Sequence, residues 1–345
     1  MTEQISKSNI PVSPRVVLFI AGAFMMLSCG DQQTGTLTPK ISLVNSPNDI
    51  LTVGAQFLAD EIKKQSNDSI SPRVYHSGVL SGGKGKAEIE MCQQGSIEIH
   101  ITTTAYLANL AKHASVVSLP FLFRDIDQVV GLVKSNNSAF DKINGELNSK
   151  NLHIIAWWPR GFRQLTNNKK PVKSLEDLQG LTFRVMNNPL YVDNMNAMGA
   201  NPVPMAWGEV YTGLQLNIID GQENAEDVIY SSKLYEVQKY MTIWDYSTDI
   251  EVVLVNLEWW NGLEQGQRQQ IQQAADASVD FQVELLRKNT LELRQKLAEQ
   301  GMDIYQLPES AKPAFRASVE PVWEKYQKIF TKTYLDSFVA EVNNY

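Results

Sequence analysis

Cysteine is almost missing from this chain of 345 residues, in which Cys29 and Cys92 are the whole supply. A framework of several disulfides and a cysteine-ligated zinc site are thereby excluded. Histidine is nearly as scarce. His76, His100, His113 and His153 are scattered, with no H-x-x-x-H pair and no cysteine partner, so no transition-metal site is indicated. A Lys/Arg-rich stripe is also lacking, and the formal net charge is −7. That argues against nucleic acid as a partner, because phosphate recognition demands a basic face. The apolar run Val16–Leu27 is too short to cross a bilayer comfortably. No internal repeat is visible. What is present is the composition of an ordinary globular protein, 43% hydrophobic and 20% charged, in a chain longer than one usual domain. Two lobes are the expectation.

The N-terminus gives an address. Arg15 precedes the run Val16–Leu27, which has the length of a signal-peptide core, and Ser28-Cys29-Gly30 follows at once. A small residue before a cysteine at that point resembles the bacterial lipobox, although Met26 and Leu27 replace its usual leucine and small residue. Residues 1–29 are read as a signal peptide with Cys29 as the lipidated first residue of the mature protein. An ordinary cleaved signal with an incidental cysteine is the alternative. Residues 30–40, polar and Gly/Thr-rich, read as a flexible stalk. Cys92, in the helix-like run KAEIEMCQQG, reads as a buried, inert thiol.

Along the mature chain, strand and helix patterns alternate as in an α/β protein. Strands are predicted at Lys40–Asn45, Arg73–His76, Asn151–Trp158, Leu181–Met186, Val203–Pro204, Ile218–Glu223 and Glu251–Val255, and an amphipathic helix at Ile50–Gln65. The stretch Gln267–Gln300 has few breakers and many helix formers, so one long helix is expected there.

Arg184 lies on one of these predicted strands. A planar guanidinium on a rigid strand is a preset fork for a carboxylate, since its parallel donors match two carboxylate oxygens. That points to a site that holds an acid. Around it the sequence reads Gly180, Leu181 and Arg184, then Pro202–Met205, then Glu209, Val210, Tyr211, Leu214 and Gln215, and finally Asp220, Gly221, Glu223 and Asn224. Upstream stand SLPFLFRDIDQV (Ser118–Val129) and GFRQLTNNKKPVKSLEDLQG (Gly161–Gly180). In this order the segments resemble the substrate-binding proteins of TRAP (tripartite ATP-independent periplasmic) transporters, of the dicarboxylate type, from about Ile41 to the C-terminus.

The resemblance implies an α/β periplasmic-binding-protein fold. Its two lobes, 41–160 plus 250–289 and 161–249 plus 290–345, would be joined by hinge strands and braced by a long helix. It implies a non-enzymatic periplasmic receptor that captures an organic acid between the lobes and delivers it to the membrane subunits of an ion-gradient-driven TRAP permease. A receptor of the same fold serving a sensor kinase is the alternative, and an acid-processing hydrolase or lyase a more distant one. Arg184 matches the family's carboxylate clamp, Asn224 its site asparagine, and Arg163 its second arginine, preferred over the neighbouring Arg160. Trp207 is a candidate wall for the ligand body. Thr103 stands where sialic-acid-binding members carry glutamate, which puts that ligand in doubt. No cofactor is implied, and an accompanying Na⁺ or Ca²⁺ ion, found in some relatives, stays open. Asp220 and Glu223 could be imagined as a catalytic carboxylate pair, but they sit in the family's turn. Gly82–Lys86 lacks the spacing and the Ser/Thr of a phosphate loop and reads as a turn.

Overall fold

The computed structural model describes residues 36–345 except Asn136, with the backbone alone at 289–291. The signal segment, Cys29 and the first part of the stalk lie outside the described residues. Leu37 forms an isolated bridge with Ile70, so the end of the stalk segment already lies on the fold.

Among the described residues eleven strands form two mixed sheets. In chain order they are β1 Lys40–Ser42, β2 Arg73–Tyr75, β3 Ile99–Thr103, β4 Leu152–Phe162, β5 Gln164–Asn167, β6 Thr182–Val185, β7 Asn201–Pro204, β8 Gly221–Asn224, β9 Tyr240–Ile243, β10 Thr248–Asn256 and β11 Asp303–Gln306. The first sheet has the order β2-β1-β3-β10-β4 and the second β11-β9-β5-β8-β6-β7. Strand β10 lies between β3 and β4, antiparallel to both, and all nine of its residues are buried. Burial on both faces explains why its sequence reads as an apolar run, VVLV, and makes Asp249 and Glu251 on the same strand conspicuous.

The helix Ile50–Gln65 starts where Asp49 accepts a hydrogen bond from the Leu51 amide. Leu51, Ala55, Leu58 and Ile62 recur at helical spacing and are buried, each large aliphatic contributing about 1.5–3 kcal/mol relative to exposure. The predicted long helix runs from Gln265 to Glu299. It holds the first-sheet side through Trp158 Nε1, which donates to Ser278 Oγ at 2.9 Å, and through the ring of Phe281 stacked on that of Phe57 in the helix Ile50–Gln65, 4.1 Å apart. It holds the second through Arg294, 2.7 Å from Glu226. The helices after β11 also reach both sides, with Trp323 Nε1 donating to the Pro120 carbonyl and Lys325 paired to Asp193.

Besides the long helix, which leads from β10 to β11, the chain passes between the sheets at two adjacent points. Arg163 is the single residue between β4 and β5, and Trp244–Ser247 separate β9 from β10. The crossings are tied together where the Arg163 amide donates to the Ser247 carbonyl at 2.8 Å and Trp244 Nε1 donates to the Arg163 carbonyl at 3.0 Å. Strand β4 extends four residues past the predicted end at Trp158, through Pro159-Arg160-Gly161-Phe162. Cys92 is fully buried in the helix Gly85–Gln93, and burial pushes its thiol well above the ordinary range.

Candidate ligand-binding site

Between the sheets lies a cavity of about 50 Å³, room for a few waters. Thr102, Thr103, Tyr106, Asp249 and Glu251 line it from the first-sheet side, and Arg184, Met186, Trp207, Asn224 and Val228 from the second. Arg160 and Arg163 line it near the crossings. All five pocket residues named from sequence therefore border one space.

The D-G-Q-E-N segment, read from sequence as a turn, is strand β8 with Asp220 just before it, and it builds much of this site. Asp220 Oδ2 accepts from the Thr182 amide at 2.8 Å, pinning the start of β6. Gly221 is needed where β8 meets β5, since a Cβ there would lie 2.1 Å from the Thr166 carbonyl oxygen. Gln222 Nε2 donates to Thr166 Oγ1, so its Oε1 is left to accept from Asn224 Nδ2 at 2.7 Å. This relay fixes the Asn224 amide, with its second N–H and its carbonyl remaining for a ligand. Glu223 is taken up by Arg163 and by Tyr246 Oη at 3.1 Å.

The three arginines differ in their partners. Arg160 is held by Asp49 at 2.9 Å, Asp227 at 2.5 Å and Glu251 at 3.3 Å. Burial lowers its pKa, but Asp227, Asp49 and Glu251 together outweigh burial and hold it above the ordinary value. Arg163 bridges the two sheets, bonded to Glu223 of β8 and to Asp249 of β10. Arg184 is 1% exposed, yet it makes no ion pair among the described residues. Its Nε donates to the Met205 carbonyl at 3.1 Å and its Nη2 to Tyr106 Oη at 3.4 Å, while its Nη1 has no hydrogen-bond partner among the described residues. The Trp207 ring lies 5.4 Å from its guanidinium carbon, so Trp207 is a half-buried wall of the cavity. Alternation on β6 explains the placement, because Phe183 and Val185 turn into the core and Arg184 to the other face.

Thr103 ends β3 and caps the next helix, its Oγ1 accepting from the Ala105 amide at 3.2 Å while its hydroxyl proton stays available. Burial pushes Glu251 up to about 7 against the pull of Arg160. Tyr106, Asp249 and Glu251 were missed as pocket residues. The last two had a signal, being acids inside an otherwise apolar strand. Among the described residues no group of three or more His, Cys, Asp or Glu could hold a metal ion.

Several contacts cross the cleft. Asn188 Nδ2 donates to the Ala105 carbonyl at 2.7 Å, Ser46 Oγ to the Ser231 carbonyl at 3.1 Å, and the Gly208 amide to the Gly83 carbonyl at 3.3 Å. The last joins the Gly82–Lys86 turn to the helix Trp207–Gln215, and a Cβ on Gly208 would lie 3.1 Å from both the Gly82 carbonyl oxygen and the Gly83 Cα. Gly208→Val is expected to disfavour this closed arrangement, weakening ligand affinity about tenfold or more through the smaller closed population. Calorimetric titration, with melting of the free protein as the folding control, checks this.

Comparison with known proteins gives a consistent answer. Residues 41–329 match the family model described as bacterial extracellular solute-binding protein, family 7. A solute-binding protein of Chromohalobacter salexigens is 30% identical over 286 residues, 83% of each chain. The 2,3-diketo-L-gulonate-binding periplasmic protein YiaO of Escherichia coli is 28% identical over 289 residues, 83% of this chain and 85% of its own. Among solved structures, the sugar acid binding protein of Advenella mimigardefordensis, in complex with galactonate, superposes with a TM-score of 0.85 at 26% identity, covering 89% of this chain and 98% of that one. The chain belongs to family 7 of the bacterial extracellular solute-binding proteins, the TRAP periplasmic receptors, and is a non-enzymatic, two-lobed solute-binding protein.

Proposed function

We propose that Arg184 holds the ligand's carboxylate in the cleft, with the free N–H of Asn224 as a further donor, Trp207 as an apolar wall and Thr103 as a hydroxyl contact. One observation carries this reading: Arg184 is a buried cation that makes no ion pair among the described residues, and a buried charge persists only where something compensates it. A ligand carboxylate supplies the missing partner through charge-assisted bonds. Arg163, already paired across the two crossings, supports the site from the hinge.

The lobes, 41–160 plus 250–289 and 161–249 plus 290–345, close about the two crossings, and the loaded protein docks on the membrane subunits of a TRAP permease, which the family implies. Screening the protein by thermal melting against organic acids tests the binding role. An acid at about a hundred times its Kd adds roughly 2.7 kcal/mol. No stabilisation by any acid, even after unfolding and refolding to strip retained ligand, would overturn the reading.

Cys29 is proposed as the lipidated tether to the membrane. Cys29→Ser is expected to move the protein from the membrane to the soluble fraction of a cell lysate, and unchanged membrane association would remove the lipoprotein claim.

A further inference from the structure

The cavity has two chemically different ends. On the second-sheet side stand Arg184, which makes no ion pair among the described residues, and Asn224. On the first-sheet side stand Thr102, Thr103, Asp249 and Glu251. Strand register places Glu251 directly opposite Thr103, so a hydroxyl and a carboxylate share one rung of this wall.

The cationic capacity of the site decides how many ligand charges it can take. Arg160 is surrounded by three carboxylates and Arg163 by two. Neither has positive charge to spare. Arg184 alone among the three can neutralise an incoming anion, and it can neutralise one. A second ligand carboxylate extending from Arg184 toward the other end would meet Asp249 and, in its ionised form, Glu251, with like charges in a closed, weakly screened space. A hydroxyl at the same place would instead donate to Glu251. That bond is charge-assisted when Glu251 is ionised, and the carbonyl oxygen still accepts when it is protonated. Asp249 is less available, because Arg163, Ser118 and Tyr191 already occupy it. The only hydrogen bond of the Glu251 side chain among the described residues is the 3.3 Å contact with Arg160.

We infer that Glu251 is the specificity-determining acceptor of this cleft, selecting hydroxylated monocarboxylates and rejecting dicarboxylates. The inference rests on the Arg184 carboxylate clamp proposed above. It adds that selection is exerted from the opposite wall, as much by repulsion of a second charge as by the hydroxyl bond.

The test is calorimetric titration of the full-length protein with D-glycerate, D-erythronate, D-galactonate, succinate and L-malate. The wild-type protein is expected to bind the best of the three hydroxylated monocarboxylates at least 100-fold more tightly than either dicarboxylate. Glu251→Gln keeps an acceptor oxygen for the hydroxyl and for Arg160 but removes the charge, and is expected to shrink that ratio at least tenfold, mainly by admitting succinate. Glu251→Asp, which keeps the charge, is expected to keep succinate excluded. A dicarboxylate that binds as tightly as the best hydroxylated monocarboxylate overturns the inference on the wild-type protein alone, so the result does not depend on the variants folding. An unchanged ratio in folded Glu251→Gln, or no binding of any of the three monocarboxylates, also overturns it. Arg184→Met separates the two claims. Loss of whichever acid the wild type binds upholds the clamp even when the Glu251 ratio fails, whereas retained binding removes the clamp itself.

Discussion

Replacing Arg184 with methionine is expected to abolish acid binding and leave the unliganded fold intact. The guanidinium would contribute two charge-assisted hydrogen bonds to a carboxylate, together about 3–6 kcal/mol, or roughly 10²–10⁴-fold in Kd. Stability should move the other way. In the free protein Arg184 is buried without an ion-pair partner among the described residues, and its hydrogen bonds go to a backbone carbonyl and a tyrosine hydroxyl. A buried cation without an ion-pair partner costs stability that an apolar side chain of similar length does not. The melting temperature of free Arg184→Met is therefore expected to equal or exceed that of the wild type. A variant that melts far lower and still binds would assign Arg184 to the scaffold.

Arg163→Met is expected to give the opposite pattern. This arginine neutralises Glu223, fully buried, and Asp249, 1% exposed, at the point where the chain crosses between the sheets. Removing it leaves two buried carboxylates without their cation, a loss of about 3–5 kcal/mol that lowers Tm by on the order of 5–10 °C. The deficit should deepen from pH 5 to pH 8. Burial already raises the pKa of Glu223 against the opposing pull of Arg163, and without Arg163 the rise is larger. A carboxylate whose pKa is higher in the folded state than in the unfolded chain stabilises the fold below its unfolded value, and that contribution is lost as pH rises through the folded value. Melting curves of both proteins across this range check the sign. A Tm difference independent of pH would mean that the two carboxylates are compensated in another way.

The contrast between these arginines marks how far the sequence could be read. Local patterns were legible. The helix Ile50–Gln65 has the predicted bounds, and the long helix at 265–299 lies within two residues of them, because helical spacing and the lack of breakers are properties of neighbouring residues. The segments resembling the family motifs carried Arg184, Asn224, Arg163 and Trp207 to the border of one cavity. Partnership was not legible. Arg163 reads as the second cation of the site, preferred over Arg160, yet the acids that neutralise both come from 60 to 111 residues away in the chain. Nothing in a local window joins Arg160 to Asp49, Asp227 and Glu251. The same pairing explains the extent of β4. Pro159-Arg160-Gly161 interrupts its apolar pattern, but the buried carboxylates around Arg160 compensate the charge and the strand continues. Asp249 and Glu251 were visible as acids in an apolar strand, a local conflict of the kind that marks functional sites.

The most direct test of the carboxylate clamp is a pair of calorimetric titrations of the chain from Gly30 onward. One uses the acid that stabilises the protein most, and the other its uncharged carboxamide. The amide keeps the ligand's shape and removes the charge that Arg184 is held to neutralise. Saturable binding of the acid, with amide binding weaker by about 10²-fold or more and both lost in Arg184→Met, is the expected result. Equal affinity for acid and amide, or an undiminished preference for the acid in Arg184→Met, would contradict the clamp.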